Sequence, residues 1–410
     1  MKLLYVSQYF PPEMGAPAAR AAELSRHWVR MGHEVTVLTG FPNHPTGVVP
    51  PEWRSRQNRL RYSEVVDGVQ VKRTWLWALP NRKAHERIRN YASFALSAAF
   101  TGLTLPKQDV IIATSPQLLC ALAGWWVAWS MRRPFVFEVR DLWPESLAAV
   151  GAGGEGSVLH QTLGAIAGFL YRRADRVVVV TPAFKDHLVE HWHVPVEKIS
   201  VVENGVETDL FRPDPKAEEI RKELHLEGRF LICYVGTMGM AHGLETLIAA
   251  AEEMQTVLPN ATFLLIGEGA EKERIVELAA ARGLTNIRFL SQQPRERIPA
   301  YVSAADLCLV MLKKTELFKT VVPTKLLEYM ACARPVIVAV DGQSRLLVEE
   351  AHAGTFVPPE DSQALVRAIC ELERDRAKRD EMGASGREYI VAKLSREKTA
   401  RDYVEVLEKL

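Results

Sequence analysis

One pattern restricts this chain more than any other. Short runs of Val, Ile and Leu alternate with helical patterns along nearly its whole length. Strands of four to eight residues with helices between them build βαβ units and parallel sheets. A first series contains KLLYVSQ, HEVTVLT, VQVKRTWLW, DVIIATS, RPFVFEV and RVVVVTP. A second contains RFLICYVG, ATFLLIGEG, NIRFL, DLCLVML and PVIVAV. ENGVETDLFRPDP breaks the pattern, so a boundary is expected between Ile199 and Pro215. Two successive doubly wound series predict an α/β protein of two Rossmann-like domains. Local signals agree: Pro17 suits the first turn of a helix that Gly32 ends, and Thr181-Pro182 reads as an N-cap followed by proline at N1.

With 410 residues, 48% of them hydrophobic and 25% charged, the chain can bury real cores and is not expected to be disordered. The net charge of +1 conceals a first half with seven more basic than acidic residues and a remainder with six more acidic than basic. The basic half could face an anionic acceptor or a membrane surface, or be an ordinary solvated surface. None of Cys120, Cys233, Cys308, Cys332 and Cys370 forms a CxxC pair, which suits buried thiols in a reducing compartment. MKLLYVSQYFPPE is too short and too proline-rich for a signal peptide, and Leu118 to Met131 falls short of the roughly 20 residues of a membrane span. The expectation is a cytoplasmic protein, soluble or peripheral on the inner face of the cytoplasmic membrane.

In parallel α/β sheets, ligands bind in the loops after the strands. After the first strand, Gly15 and Ala16 leave room for an anion at a helix N-terminus, unless they form only a tight turn. Gly236-Thr237-Met238-Gly239-Met240-Ala241-His242-Gly243 makes a phosphate cradle plausible without being a P-loop. Gly267-Glu268-Gly269 permits close backbone approach or a plain turn, and Phe289 and Leu290 offer either a wall for a base or a core strand. Thr324 reads as an N-cap, with Lys325 in the first turn and Glu328 on the same face. A first-turn lysine opposes the helix dipole, so a bound phosphate explains it better than a surface Lys–Glu pair does. No Asp-x-Asp occurs, which argues against a diphosphate-bridging metal. His187, His191 and His193 lack the companions of a zinc site. Trp125, Trp126, Trp129, Arg132 and Arg133 read as a buried helix with a basic end in preference to a membrane-contacting face. Arg82, Lys83, Arg87 and Arg89 are basic without a nucleic-acid-binding motif.

The order and spacing of PPEMGAPAARAAELSRHWVRMGHEVTVLTG, VENGVETDLFRP, YVGTMGMAHGLETLI, FLLIGEG, IRFLSQQP and PTKLLEYMACARPVI resemble the GT-B fold glycosyltransferases of family 4. EVRDLWPES and PTKLLEYMA are similar to the branch that makes bacterial surface polysaccharides, including colanic acid and O-antigen amino-sugar transferases. The resemblance implies two Rossmann-like domains facing a cleft: residues 1–203 for the acceptor, 204–385 for the nucleotide sugar, and a C-terminal helix within 386–410 crossing back to the first. It implies retaining hexosyl transfer from a UDP-sugar to a glycan or lipid-linked sugar, with no metal or other cofactor and no nucleic acid. Gly15 and Ala16 would approach the donor phosphates. Gly236, Thr237, His242, Gly267, Glu268, Phe289, Leu290, Thr324, Lys325 and Glu328 would line the nucleotide site. Lys325 would stabilise the leaving diphosphate, and Arg140 with Asp141 would line the sugar site.

The sequence departs from the family pattern in four places. Thr237 and His242 stand where Arg and Lys are frequent, Thr320 replaces the first glutamate of Glu-x7-Glu, and Arg140 replaces a common histidine. His242 could supply charge only if protonated, which would make donor binding pH-sensitive. The alternatives are a UDP-sugar epimerase of the same shape and a non-catalytic scaffold in a polysaccharide assembly complex.

Overall fold

The computed structural model describes residues 1–410 except Pro45, residues 81–83 and residues 147–156. Arg82 and Lys83 of the basic cluster therefore lie outside the described residues. The chain divides into two units, Met1–Asn204 with Arg396–Leu410, and Gly205–Ser395.

Unit 1 is built in chain order from β1 (Lys2–Val6), α1 (Ala16–Arg30), β2 (Glu34–Gly40), α2 (Pro51–Gln57), β3 (Arg61–Val66), β4 (Val69–Thr74), α3 (Ala84–Gly102), β5 (Val110–Thr114), α4 (Leu118–Met131), β6 (Phe135–Val139), α5 (Val158–Arg173), β7 (Arg176–Val179), α6 (Pro182–Trp192) and β8 (Ile199–Val201). The strands form one sheet in the order β3-β4-β2-β1-β5-β6-β7-β8. Only β3 runs antiparallel, paired with β4 through a hairpin. Sequence periodicity missed that hairpin, although Asp67-Gly68 has the two positive φ angles a two-residue turn requires. Thr181 does cap α6, accepting a hydrogen bond from the Phe184 N–H at 3.2 Å.

Unit 2 comprises α7 (Ala217–Glu223), β9 (Phe230–Val235), α8 (Glu245–Val257), β10 (Ala261–Ile266), α9 (Lys272–Ala281), β11 (Ile287–Leu290), α10 (Ile298–Ala304), β12 (Leu307–Met311), α11 (Thr324–Ala331), β13 (Val336–Ala339), α12 (Gln343–Glu350), β14 (Gly354–Phe356), α13 (Ser362–Arg374) and α14 (Arg376–Lys393). Its sheet is wholly parallel, in the order β11-β10-β9-β12-β13-β14. Both faces of β10 and β12 are buried, as layered helices demand.

The last helix, α15 (Arg396–Leu407), belongs to unit 1. Residues 386–393 remain in α14 and in unit 2, so the returning segment starts later than 386. The reason is packing: a side chain at Gly383 would meet the Ala333 carbonyl at 2.3 Å, and the Arg387 guanidinium donates to the Phe211 and Ala331 carbonyls. α15 is seated on α1. The buried Trp28 indole donates to the Ala400 carbonyl at 3.1 Å and meets Tyr403 edge-on, while Arg396 donates to Glu23 at 2.9 Å.

A buried ion pair ties α1 to the sheet. The Arg20 guanidinium donates to Glu138 on β6 at 2.9 and 3.1 Å, and the Tyr5 hydroxyl donates to the same carboxylate at 2.6 Å. Arg20 also reaches the Val202 and Glu203 carbonyls and the Asn204 side chain, where the chain leaves unit 1. Removing one partner of a buried pair strands the other charge. Arg20→Met is expected to lose about 3–5 kcal/mol of unfolding free energy in urea titration, and Arg20→Met with Glu138→Met to recover part of that loss.

Candidate active site

In unit 2 the strand order reverses at β9 and β12. β10 and β11 extend to one side of β9, and β12 returns to the other. Ligands in open α/β sheets bind at such a switch point. The loop after β9, Gly236 to Gly243, meets α11 there, because the side chain of Lys325 crosses under it. The Lys325 ammonium lies 3.8 Å above the Tyr234 ring centroid and is shielded from solvent. No hydrogen-bond partner reaches it among the described residues. Gly236 has φ +138°, and a Cβ there would sit 2.7 Å from the ammonium nitrogen. Burial pushes Lys325 down to about 7, against the opposing pull of Glu328. A buried cation without a partner is costly, and a bound anion would remove that cost.

Thr324 does not cap α11. It is the first helical residue, and Pro323 is the N-cap without a side-chain bond. Proline has no side-chain acceptor, so the first turn of α11 carries no side-chain cap. Glu328 accepts a hydrogen bond from Arg295 at 3.0 Å, and Arg295 also lies 4.9 Å over the Phe211 ring. Sequence reasoning missed Arg295, which stands in QQPRERI with no local pattern to mark it. His242 sits in a short 3-10 turn with Nδ1 3.3 Å from the Met311 carbonyl. Burial, reinforced by Lys325, pushes its imidazole down to about 3. His242 is therefore neutral at physiological pH and does not supply the charge expected of it.

Gly267 and Gly236 touch through their backbones: a Cβ on Gly267 would meet the Gly236 carbonyl oxygen at 2.0 Å. The Gly267 N–H donates to the Leu290 carbonyl, which links the end of β11 to the same loops. Thr237 is exposed and its carbonyl accepts from the Tyr234 hydroxyl at 2.7 Å. The Glu268 carboxylate is turned to Lys272 at 2.7 Å. Phe289 packs against the apolar core and Leu290 is half-buried, so their side chains belong to the sheet and their backbones to its rim.

Unit 1 has its own switch point between β1 and β5. Gly15, at φ +132°, opens α1 without a side-chain cap, and Gly15 and Ala16 are exposed. The loop after β5 supplies Ser115, which the sequence did not single out. Its hydroxyl accepts from the Arg140 N–H at 2.7 Å and the Asp141 N–H at 3.3 Å, and its carbonyl from Arg140 Nε at 3.2 Å. Arg140 and Asp141 are thus anchored at the C-terminal ends of β5 and β6. Burial pushes Asp141 up to about 6, with Arg140 opposing. Glu13, also missed, accepts from the Phe10, Asn43 and His44 N–H groups and joins the loops after β1 and β2. Its burial outweighs those bonds and raises it to about 7.

Comparison with known proteins identifies the family. The "Glycosyl transferases group 1" family model matches residues 215–389, and the "Glycosyl transferase 4-like domain" model matches residues 15–205. The chain belongs to the GT-B glycosyltransferases. It is 25% identical to the Escherichia coli K12 protein WcaI, a glycosyl transferase named for colanic acid biosynthesis, over 98% of this chain and 99% of that one. It is 27% identical, over 95% and 94% of the two chains, to the GDP-mannose-dependent alpha-(1-6)-phosphatidylinositol monomannoside mannosyltransferase of Mycobacterium tuberculosis H37Rv. Among solved structures, Anabaena HepE in complex with UDP and glucose superposes with a TM-score of 0.76 at 19% identity, covering 100% of both chains. The GT-B match agrees with the two parallel-sheet α/β units observed.

Proton uptake offers a direct check on Lys325. Its folded value lies below the usual lysine range, and a nearby diphosphate would raise it. Binding of a nucleotide diphosphate sugar is therefore expected to take up a proton above about pH 7 and to weaken as pH rises. Calorimetry in buffers of different ionisation enthalpy measures this, and Lys325→Met is expected to abolish the uptake.

Proposed function

We propose that the protein transfers a hexosyl group, with retention, from a UDP-sugar to a glycan or lipid-linked sugar acceptor in surface-polysaccharide biosynthesis. UDP-glucose and UDP-N-acetylglucosamine are the leading donors. The observation that carries the reading is the buried Lys325 ammonium, against Gly236 at the switch point of unit 2, with no hydrogen-bond partner among the described residues. As the bond from the anomeric carbon to the diphosphate breaks, negative charge grows on the leaving oxygen. A preorganised ammonium and backbone N–H groups stabilise that charge more in the transition state than in the ground state. The acceptor hydroxyl oxygen bonds to the anomeric carbon on the same face, and its proton passes to the departing phosphate oxygen. No protein base and no metal ion enter this scheme. Glu328, held by Arg295, is placed to receive ribose hydroxyls.

The test is UDP release from a panel of UDP-sugars, with GDP-mannose as the competing donor, in the presence and absence of chelator. Lys325→Ala is expected to lower kcat about 100- to 1,000-fold. Normal turnover by that variant would remove Lys325 from the mechanism. Release from GDP-mannose alone would replace the UDP assignment, and loss with chelator would end the metal-free one.

A lipid-linked acceptor calls for a membrane-facing surface, and the exposed aromatics of α4 support that reading. Trp125 is packed edge-on against Phe169, but Trp126 is 39% exposed and Trp129 61% exposed. The helix is buried along one side, as its hydrophobicity suggested, but Trp126 and Trp129 lie on its exposed side. Two turns of the neighbouring α3 add Leu96 and Phe100, both exposed, and Arg132 and Arg133 follow Trp129. Amphipathic aromatics beside arginines suit the interface of an anionic bilayer. No helix among the described residues is long and apolar enough to cross a membrane. Trp126→Ser with Trp129→Ser is expected to weaken sedimentation with phosphatidylglycerol vesicles by about tenfold or more, with UDP-sugar binding unchanged.

A further inference from the structure

A cavity of unit 1 lies apart from both switch points. It encloses about 700 Å³ between the loop after β2, helix α2, and the segment that follows β4. We propose that it is a carbohydrate-binding subsite that holds the glycan portion of the acceptor. The proposal rests on the transferase reading for the word acceptor, and on the cavity's own chemistry for the word carbohydrate.

Position comes first. β2 and β4 run parallel to β1, so the loops that follow them emerge on the same edge of the sheet as Gly15. β4 lies two strands from β1, about 10 Å along that edge. This is the edge at which α/β sheets bind ligands.

The lining is the second argument. Trp75 and Trp77 line the cavity with Arg54, Gln57 and Asn58. The Trp77 ring is 51% exposed although its backbone is fixed at both polar atoms. Its N–H donates to Ser93 at 2.8 Å, and its carbonyl accepts from Asn90 at 3.3 Å. The Trp75 N–H donates to the Leu60 carbonyl at 2.9 Å. Neither indole N–H has a hydrogen-bond partner among the described residues. An exposed tryptophan on a pinned backbone presents an apolar face at little entropic cost on binding.

The polar groups are set out in the same way. Arg54 uses Nε on the Val49 carbonyl at 3.3 Å, which leaves its terminal amino groups unbonded among the described residues. Gln57 donates through Nε2 to the Leu76 carbonyl at 3.0 Å, so its orientation is fixed and its oxygen can accept. Asn58 is exposed and its amide is unbonded among the described residues. A pyranose has apolar C–H faces and a rim of hydroxyls that both donate and accept. Indole faces, planar amides and a guanidinium in one concave site match that pattern. A lipid tail would leave the amides and the guanidinium desolvated without partners.

Saturation-transfer NMR tests the subsite on the intact protein. The probes are the methyl glycosides of glucose, galactose, mannose and N-acetylglucosamine, together with sucrose and cellobiose. At least one is expected to receive saturation, with binding weakened roughly tenfold in Trp77→Ala and also weakened in Asn58→Ala. Both side chains are exposed, so the melting temperature is expected to stay unchanged. UDP-glucose binding is followed in the same samples. Sugar binding lost in both variants with UDP-glucose binding retained supports the subsite. Absence of saturation for every probe, or saturation that both variants retain, overturns it. Loss of UDP-glucose binding by the wild-type protein would instead count against the donor reading and leave the sugar result to stand alone.

Discussion

Unit 1 depends on a charge pair in a place where water cannot reach it. Burial would neutralise both Arg20 and Glu138. Each instead holds the other ionised, so Arg20 stays above its ordinary value and Glu138 below. The pair is anchored on α1, on β6 and on the segment that leaves the unit near Asn204. Gly15 opens that helix and Arg140 directly follows that strand. The geometry of the first switch point is therefore set by an interaction outside it.

Unit 2 treats its central cation in the opposite way. The Lys325 ammonium nitrogen is shielded from solvent, yet no carboxylate closes on it among the described residues. Glu328, one turn along α11, is occupied by Arg295. Sites that store unfavourable electrostatics in the empty state are typical places for ligand chemistry. The tight backbone approach of Gly236 and Gly267 keeps the roof of the site close to the ammonium, and a side chain at either glycine would push it away.

The sequence made these features legible to different degrees, for physical reasons. Alternating apolar runs disclosed the two sheets because buried parallel strands leave a continuous hydrophobic signature. β8 and β14 went unrecognised as strands because three residues carry too little pattern. The Asp67-Gly68 hairpin was available from turn chemistry but was masked by the longer run VQVKRTWLW. Lys325 stood out by opposing the helix dipole, and the structure puts it at the switch point. Ser115, Glu13 and Arg295 act through partners 25 to 33 positions away, a distance that local pattern does not report. Trp126 and Trp129 were read as core from hydrophobicity alone, which does not say which side of a helix a neighbour covers.

The path of the backbone has one more consequence. Unit 2 is an insertion: the chain leaves unit 1 after Asn204 and returns at Arg396 to complete it with α15. Trp28 and Glu23 wait on α1 for a helix made only after the whole of unit 2. A ribosome therefore releases a finished second unit before the first can close. Genetic exchange of unit 2 between relatives needs two coordinated crossovers, since a single one would leave α1 with a foreign lid.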